Sequence, residues 1–262
     1  MDLQLDDRVI VVTGGSSGVG LALVGDLLSA GARVATCARD LDRLESATAA
    51  LPAHDPDRLL TVRCDVRRPD EVKALVAATV ERFSGIDGVV NNAGQSLMRP
   101  FDQTSWEEWQ SEFELKFAPV LHTVTAARPW LAVSEAASVV NVNAVLARQP
   151  EPRLAATSAA RAGLLNLTKT LSVDLAPDGI RVNSVLLGLI DTGQWRRRFE
   201  EQGEGETWEA WSGALAADRG IVLGRLGTAQ EVSFVITMLL SPRASYVTGT
   251  SIDVGGGVGR SV

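Results

Sequence analysis

Short apolar runs rich in valine and alanine recur at residues 8–13, 33–38, 59–64, 87–91, 137–143, 180–186 and 250–254. Longer stretches with apolar residues at helical spacing separate them, so the pattern predicts seven strands alternating with helices. Such alternation implies parallel pairing through right-handed crossovers. Runs such as Val9-Ile10-Val11-Val12 and Gly88-Val89-Val90 carry no polar position to turn toward water, which predicts a sheet covered on both faces. The expected fold is α/β, a doubly wound parallel sheet of Rossmann-like, three-layer α/β/α form, with residues 1–262 as a single domain. Ligands of such sheets bind beyond the carboxyl ends of the strands, so the residues just past each strand carry the functional question.

The first strand ends in Thr13-Gly14-Gly15-Ser16-Ser17-Gly18-Val19-Gly20, and an alanine- and leucine-rich segment follows. A turn so rich in glycine lets a pyrophosphate approach the backbone, while the first amides of the next helix and the positive end of its dipole face the anion. The plain alternative is a tight strand-to-helix turn that binds nothing. After the second strand comes Ala38-Arg39-Asp40. An NAD site usually holds the ribose 2′-hydroxyl with an acid at this distance from the glycines, and here that place is Ala38. Arg39 beside it suits a 2′-phosphate, or else is a solvated charge opening the next helix.

Composition narrows the partners. A net charge of −7 with no basic run beyond Arg196-Arg197-Arg198 excludes nucleic acid as an expected partner. No run of about 18 apolar residues crosses a bilayer, and Asp2, Asp6 and Asp7 interrupt any leader-like region, so a cytoplasmic, reducing location and no membrane are expected. Cys37 and Cys64 both end predicted strands and read as small buried residues rather than a disulfide, and no metal site is expected.

The third and fourth strands end in Cys64-Asp65-Val66 and Asn91-Asn92-Ala93-Gly94. With the glycine turn, Asp65 and the Asn-Asn-Ala-Gly segment in this order and spacing, the chain resembles the short-chain dehydrogenase/reductase family. The likeness runs from Asp6-Asp7-Arg8-Val9 through Ile180-Arg181-Val182-Asn183 to Val247-Thr248-Gly249 and Gly255-Gly256-Gly257. It implies a bound NADP(H), with NAD(H) less favoured. By that resemblance Gly14, Ser16, Ser17, Gly18, Val19 and Gly20 line the adenosine and pyrophosphate, and Asp65 and Val66 meet the adenine. Asn91, Ala93 and Gly94 pass under the ribose, while Ile190 and Thr192 hold the nicotinamide. Leu187-Gly188 stands where the family has Pro-Gly, implying a less restrained backbone at Gly188. The family's helix pairing implies a homotetramer or homodimer through residues 106–130 and 154–176.

The family's chemistry uses an asparagine, a serine, a tyrosine and a lysine. Aligned through Val139-Val140-Asn141-Val142 and Ala159-Ala160-Arg161-Ala162-Gly163, those positions fall on Lys116, Ala144, Thr157 and Arg161. The single tyrosine, Tyr246, lies near the other end of the chain. Thr157 and Arg161, four apart on a predicted helix, share a face. A threonine proton is far too weakly acidic to replace a tyrosine, and Arg161 stays charged, able to keep ribose contacts but not to relay a proton. Lys116 is then a candidate acid or base if burial beside Arg161 lowers its pKa, or otherwise a structural cation. Asn143 is expected to point to the opposite face from Ala144, and His122 to a different face from Lys116. His122 and His54 read as packing or surface.

A lid is expected at about 189–220. It holds Trp195, Trp208 and Trp211 with Arg196-Arg197-Arg198, either as an aromatic, cationic pocket wall or as helices packed on the core. The loop from Arg148 to Arg153 is expected to wall the pocket. The expected function is NADP(H)-dependent hydride transfer on a small carbonyl, imine, alcohol or amine, anionic in character, without the tyrosine relay, and with Lys116, Thr157 and Arg161 as the catalytic candidates. A silent NADP(H)-binding protein, or a non-redox lyase or isomerase on the same scaffold, are the alternatives.

Overall fold

The computed structural model describes residues 2–203 and 205–259; Glu204, inside the expected lid, lies outside the described residues. The chain runs β1 (Val9–Thr13), α1 (Gly18–Ser29), β2 (Arg33–Ala38), α2 (Leu41–Ala49), β3 (Leu59–Arg63), α3 (Pro69–Phe83), β4 (Gly88–Asn91) and α4 (Trp106–Leu131). It continues through β5 (Ser138–Ala144), α5 (Ala155–Asp174), β6 (Arg181–Leu187), α6 (Gly193–Gln202), α7 (Trp208–Asp218), α8 (Ala229–Leu240) and β7 (Ser251–Val254). Each strand falls within one residue of its predicted bounds.

All seven strands are parallel, in the order β3-β2-β1-β4-β5-β6-β7. The apolar runs behave as expected, since every residue of β1 and β4 is buried. One core lies between the sheet and α3, α4 and α5, with Val72, Leu75, Val124, Leu131 and Leu164 against Val11, Val89, Val139 and Val182. The other places Leu23, Leu27, Ile236 and Leu239 of α1 and α8 against Ile10, Val12, Val90 and Val140. Strand order reverses between β1 and β4, the crevice where this architecture binds ligands.

Local signals fix the helix that carries the chemistry. Ser105 and Glu108 form a reciprocal capping box at the start of α4. Pro119 lies inside that helix, and Thr123 returns a hydrogen bond to its carbonyl. No helix among the described residues is long and apolar enough to cross a membrane.

Candidate active site

The cofactor half of the crevice is built from backbone. Gly14 N donates to Cys37 O at the end of β2, and Asn92 Nδ2 donates to Thr13 O and Gly14 O, clamping the turn from the far side. A Cβ on Gly20 would strike Gly14 O and come within 2.5 Å of Asn92 Nδ2, so only glycine fits there. Ser17 places no side-chain oxygen over the first turn of α1, and that turn contains no acid. Its positive end is therefore uncompensated and suits a pyrophosphate. Ser16 and Ser17 border this turn, Val19 is buried, and Thr192 lies beside Gly18, where a Cβ would meet its Cγ2 at 3.5 Å.

The adenosine end is polar and charged. Asp65 accepts three bonds from Arg67, from Nε at 3.2 Å, Nη2 at 2.8 Å and the backbone N at 3.0 Å, and these hold its carboxyl down at about 2. Arg39 is exposed, and among the described residues no carboxylate lies within 4 Å of it. A free guanidinium past β2 with no acid at Ala38 fits a 2′-phosphate. Val66 is buried, and its carbonyl lies 3.2 Å from His122 Nδ1, a packing role for that histidine; His54 is exposed.

Three cofactor candidates have defined surroundings. The Asn91 side chain is engaged by protein: Nδ2 donates to Asn141 Oδ1 at 2.9 Å, and Oδ1 accepts from Thr123 at 2.6 Å. Only its backbone, with Ala93 and Gly94, is available to a ligand. The Ile190 side chain is buried in the core, which leaves its backbone for a ligand. Gly188 is not slack. Its N–H donates to Val254 O at 2.9 Å, and a Cβ would come within 2.6 Å of Gly255 Cα, so close strand-end packing restrains it in place of a proline.

At the ends of β4 and β5, α4 and α5 bring four side chains together. Lys116 Nζ donates to Gln95 O at 2.7 Å and to Glu112 Oε2 at 3.2 Å, with both side chains about 5% exposed. Thr157 Oγ1 lies 2.5 Å from the same Glu112 oxygen, accepts from Leu97 N at 3.1 Å, and is fully buried. Arg161 makes only long contacts, to Asn143 Oδ1 at 3.4 Å and Ser96 Oγ at 3.5 Å, and its buried Nε has no partner among the described residues. Asn143 therefore does not turn away from the site. Its Nδ2 donates to Arg161 O at 3.0 Å, because Asn141 and Asn143 share the β5 face that packs on α5.

Two cations and one carboxylate leave this buried cluster one positive charge in excess. Burial, with repulsion from Arg161, brings Lys116 down to about 8 against the attraction of Glu112. Burial lowers Arg161 to about 10, so its guanidinium stays charged at neutral pH. Glu112, Asn92 and Ser96 escaped the sequence reading. The i, i+4 spacing of Glu112 and Lys116 was a visible signal for the first, since such residues share a helix face.

The region around the site is held by aromatic packing and ion pairs. Trp195, Trp208, Trp211 and Phe199 pack on one another with centroids 5.6–6.5 Å apart, joining α6 to α7. Arg196 lies over the Trp208 ring at 3.7 Å and pairs with Asp191. In the loop after β5, Glu151 pairs with Arg219, and Arg148 pairs with Asp253 of β7 at 3.0 Å. Tyr246 is fully exposed. Cys37 and Cys64 are buried free thiols. Two surface grooves of about 430 and 470 Å³ lie elsewhere: one runs along Val76, Val80 and Trp130, the other along Leu146, Pro150 and Ala159. Among the described residues no three potential ligands cluster for a metal.

A parallel sheet with a glycine turn at its switch point and a polar cluster one strand away defines a dinucleotide-binding enzyme scaffold. The family model described as enoyl-(acyl carrier protein) reductase matches residues 14–259. Human dehydrogenase/reductase SDR family member 4 is 32% identical over 97% of this chain and 88% of that protein. The chain belongs to the short-chain dehydrogenase/reductase family of oxidoreductases. An NADPH-bound short-chain oxidoreductase from Pseudomonas aeruginosa PAO1, described as containing an atypical catalytic center, is 46% identical over 98% of this chain and all of that one, with a TM-score of 0.93. L-sorbose reductase from Gluconobacter frateurii, solved with NADPH and L-sorbose, is 29% identical over the full length of both chains, with a TM-score of 0.95.

Proposed function

We propose that this protein is an NADP(H)-dependent oxidoreductase that acts on a small carbonyl or imine compound bearing an anionic group, or on the corresponding alcohol or amine, without a tyrosine relay. The observation that carries this reading is the half-buried Arg161 guanidinium, whose buried Nε has no partner among the described residues and whose other contacts are long, beside a lysine brought down to about 8. A buried cation without an acid is costly unless a ligand supplies the negative charge. The free Arg39 and the uncompensated start of α1, in a turn that Gly20 lets pack tightly, would hold the phosphates of NADP(H), and two similar proteins are known with NADPH bound.

When bound, the nicotinamide supplies or receives the hydride. The chain's residues then orient the substrate and handle its proton. Arg161 fixes the anionic group and places the reacting carbon, a positioning effect that contributes much of the rate without acid or base chemistry. Lys116 has three N–H donors and two described partners, so its third faces the substrate oxygen or nitrogen and donates the proton that accompanies reduction; water then reprotonates it. Thr157 is a positioning residue here. Its hydroxyl holds Leu97 and Glu112 and is closed off from substrate. Residues 189–220 act as the lid of this site, and the enzyme is a homodimer or homotetramer.

The test is NADPH oxidation with a panel of keto and imino acids beside their neutral esters. Faster turnover of the acids, falling above pH 8 as Lys116 deprotonates, is expected. Lys116→Met should lower kcat with little change in NADPH affinity. A second reading, an NADP(H)-binding protein without turnover, draws on the burial of Glu112, Lys116 and Thr157 beneath the Gln95–Leu97 backbone. Tight NADPH binding with no oxidation across the panel would favour it.

A further inference from the structure

Outside the buried cluster, three segments converge on one thioether. Met98 follows the Gln95–Leu97 stretch that roofs Lys116 and Thr157. Its Sδ takes Arg198 Nη2 of α6 at 3.4 Å and Arg153 Nη2, from the turn before α5, at 3.9 Å. A thioether is a weak acceptor and no match for two guanidinium groups. Among the described residues neither arginine has a carboxylate within 4 Å, although acids lie close by along the chain. Three of those acids are engaged elsewhere, Glu151 by Arg219, Asp191 by Arg196 and Glu108 by Arg99, while Glu200 and Glu201 make no ion pair with Arg198. Arg198 is half-buried, and its guanidinium also lies 4.7 Å from the centre of the Trp195 ring, which holds it in place. In a chain of net charge −7, two unmatched arginines facing one spot above the active site are a local reversal of sign.

We propose that Arg153 and Arg198 form a second anion subsite at the mouth of the pocket, so that the substrate carries two anionic groups. One is held by Arg161 inside, and the other, a carboxylate or a phosphate, by Arg153 and Arg198 outside. This rests on the anionic-substrate reading above and extends it to a dianion. Planar guanidinium groups take either group through paired hydrogen bonds, and Met98 gives way as the ligand replaces it.

Binding of simple probes to the NADPH-loaded protein tests this without turnover. Glutarate and 3-phosphonopropionate are titrated beside the monoanion butyrate, by calorimetry and by tryptophan emission. Both dianions, or the one whose distal group matches the subsite, should bind at least about 10-fold tighter than butyrate. Arg153→Gln and Arg198→Gln should each remove most of that gain, and the double variant should bind dianions as it binds butyrate, with NADPH affinity unchanged. Arg198→Lys, which keeps the charge, should restore part of the gain and guards against a merely misfolded variant. Trp195→Phe should abolish the emission change but leave the calorimetric affinity. A dianion preference that survives in the double variant, or no preference for either dianion, overturns the subsite. Loss of NADPH binding in the parent protein would instead overturn the cofactor reading.

Discussion

The two halves of the crevice solve the same problem with different materials. On the β1–β4 side a ligand meets backbone: the turn from Gly14 to Gly20, the first amides of α1 and the carbonyls clamped by Asn92. On the β5 side it meets side chains, with Glu112 and Lys116 from α4 set against Thr157 and Arg161 from α5. A backbone site depends on a few glycines close together in sequence. A side-chain site can exchange every member and still fill its volume, provided that charge and hydrogen bonding balance. The cluster shows such a balance: Thr157 is closed over by Leu97 and bonded to Glu112. For the same reason, changing Thr157 to tyrosine should not restore ordinary ketone reduction, because the ring has no space between Glu112 and the Leu97 backbone.

This contrast can be broken at defined points. Glu112→Gln leaves Lys116 and Arg161 buried without a carboxylate. It should cost about 3–5 kcal/mol in urea unfolding while the affinity for NADPH stays unchanged. If the cofactor affinity collapses as well, the halves are not independent. Next comes the charge of Lys116 itself. Its folded pKa, about 8, lies below the ordinary 10.5, so between those values the unfolded chain holds more protons and stability rises with pH. Relative to Lys116→Met, the parent protein should gain about 3 kcal/mol from pH 8 to 10.5, read by denaturation at each pH. A flat difference would mean that Lys116 titrates normally.

The backbone half should respond differently. Gly20→Ala forces a Cβ against Gly14 O and should weaken NADPH binding by about 100-fold, with about 1–3 kcal/mol of lost stability, and leave the Lys116 pH signature intact. Arg39→Asp should weaken NADPH relative to NADH by about 10- to 100-fold in calorimetry, without change in unfolding midpoint. Equal losses for both cofactors would remove Arg39 from the phosphate site.

The strand positions, the layer order and the glycine turn were legible in the sequence because each is a local pattern. Val9–Val12 has no polar face to expose, and Gly20 sits a fixed short distance from Gly14. The flanking Val139–Val142 and Ala159–Gly163 motifs drew attention to Lys116, Thr157 and Arg161, because the resemblance aligns the family's chemical positions there. Other features depended on contacts between residues far apart in the chain. Glu112 and Thr157 are 45 residues apart, and no local pattern joins a glutamate on one helix to a threonine on another. Alternation alone turned Asn143 away, but it lies on the β5 face that packs against α5, beside Arg161. The ring-to-ring contacts that join the tryptophans of α6 and α7 were likewise invisible in the sequence. Sequence determined the frame and the cofactor turn, because hydrophobic period and glycine spacing act over a few residues. Tertiary structure decided which charges are matched and which are left free, because burial and ion pairing depend on what the fold brings within about 4 Å.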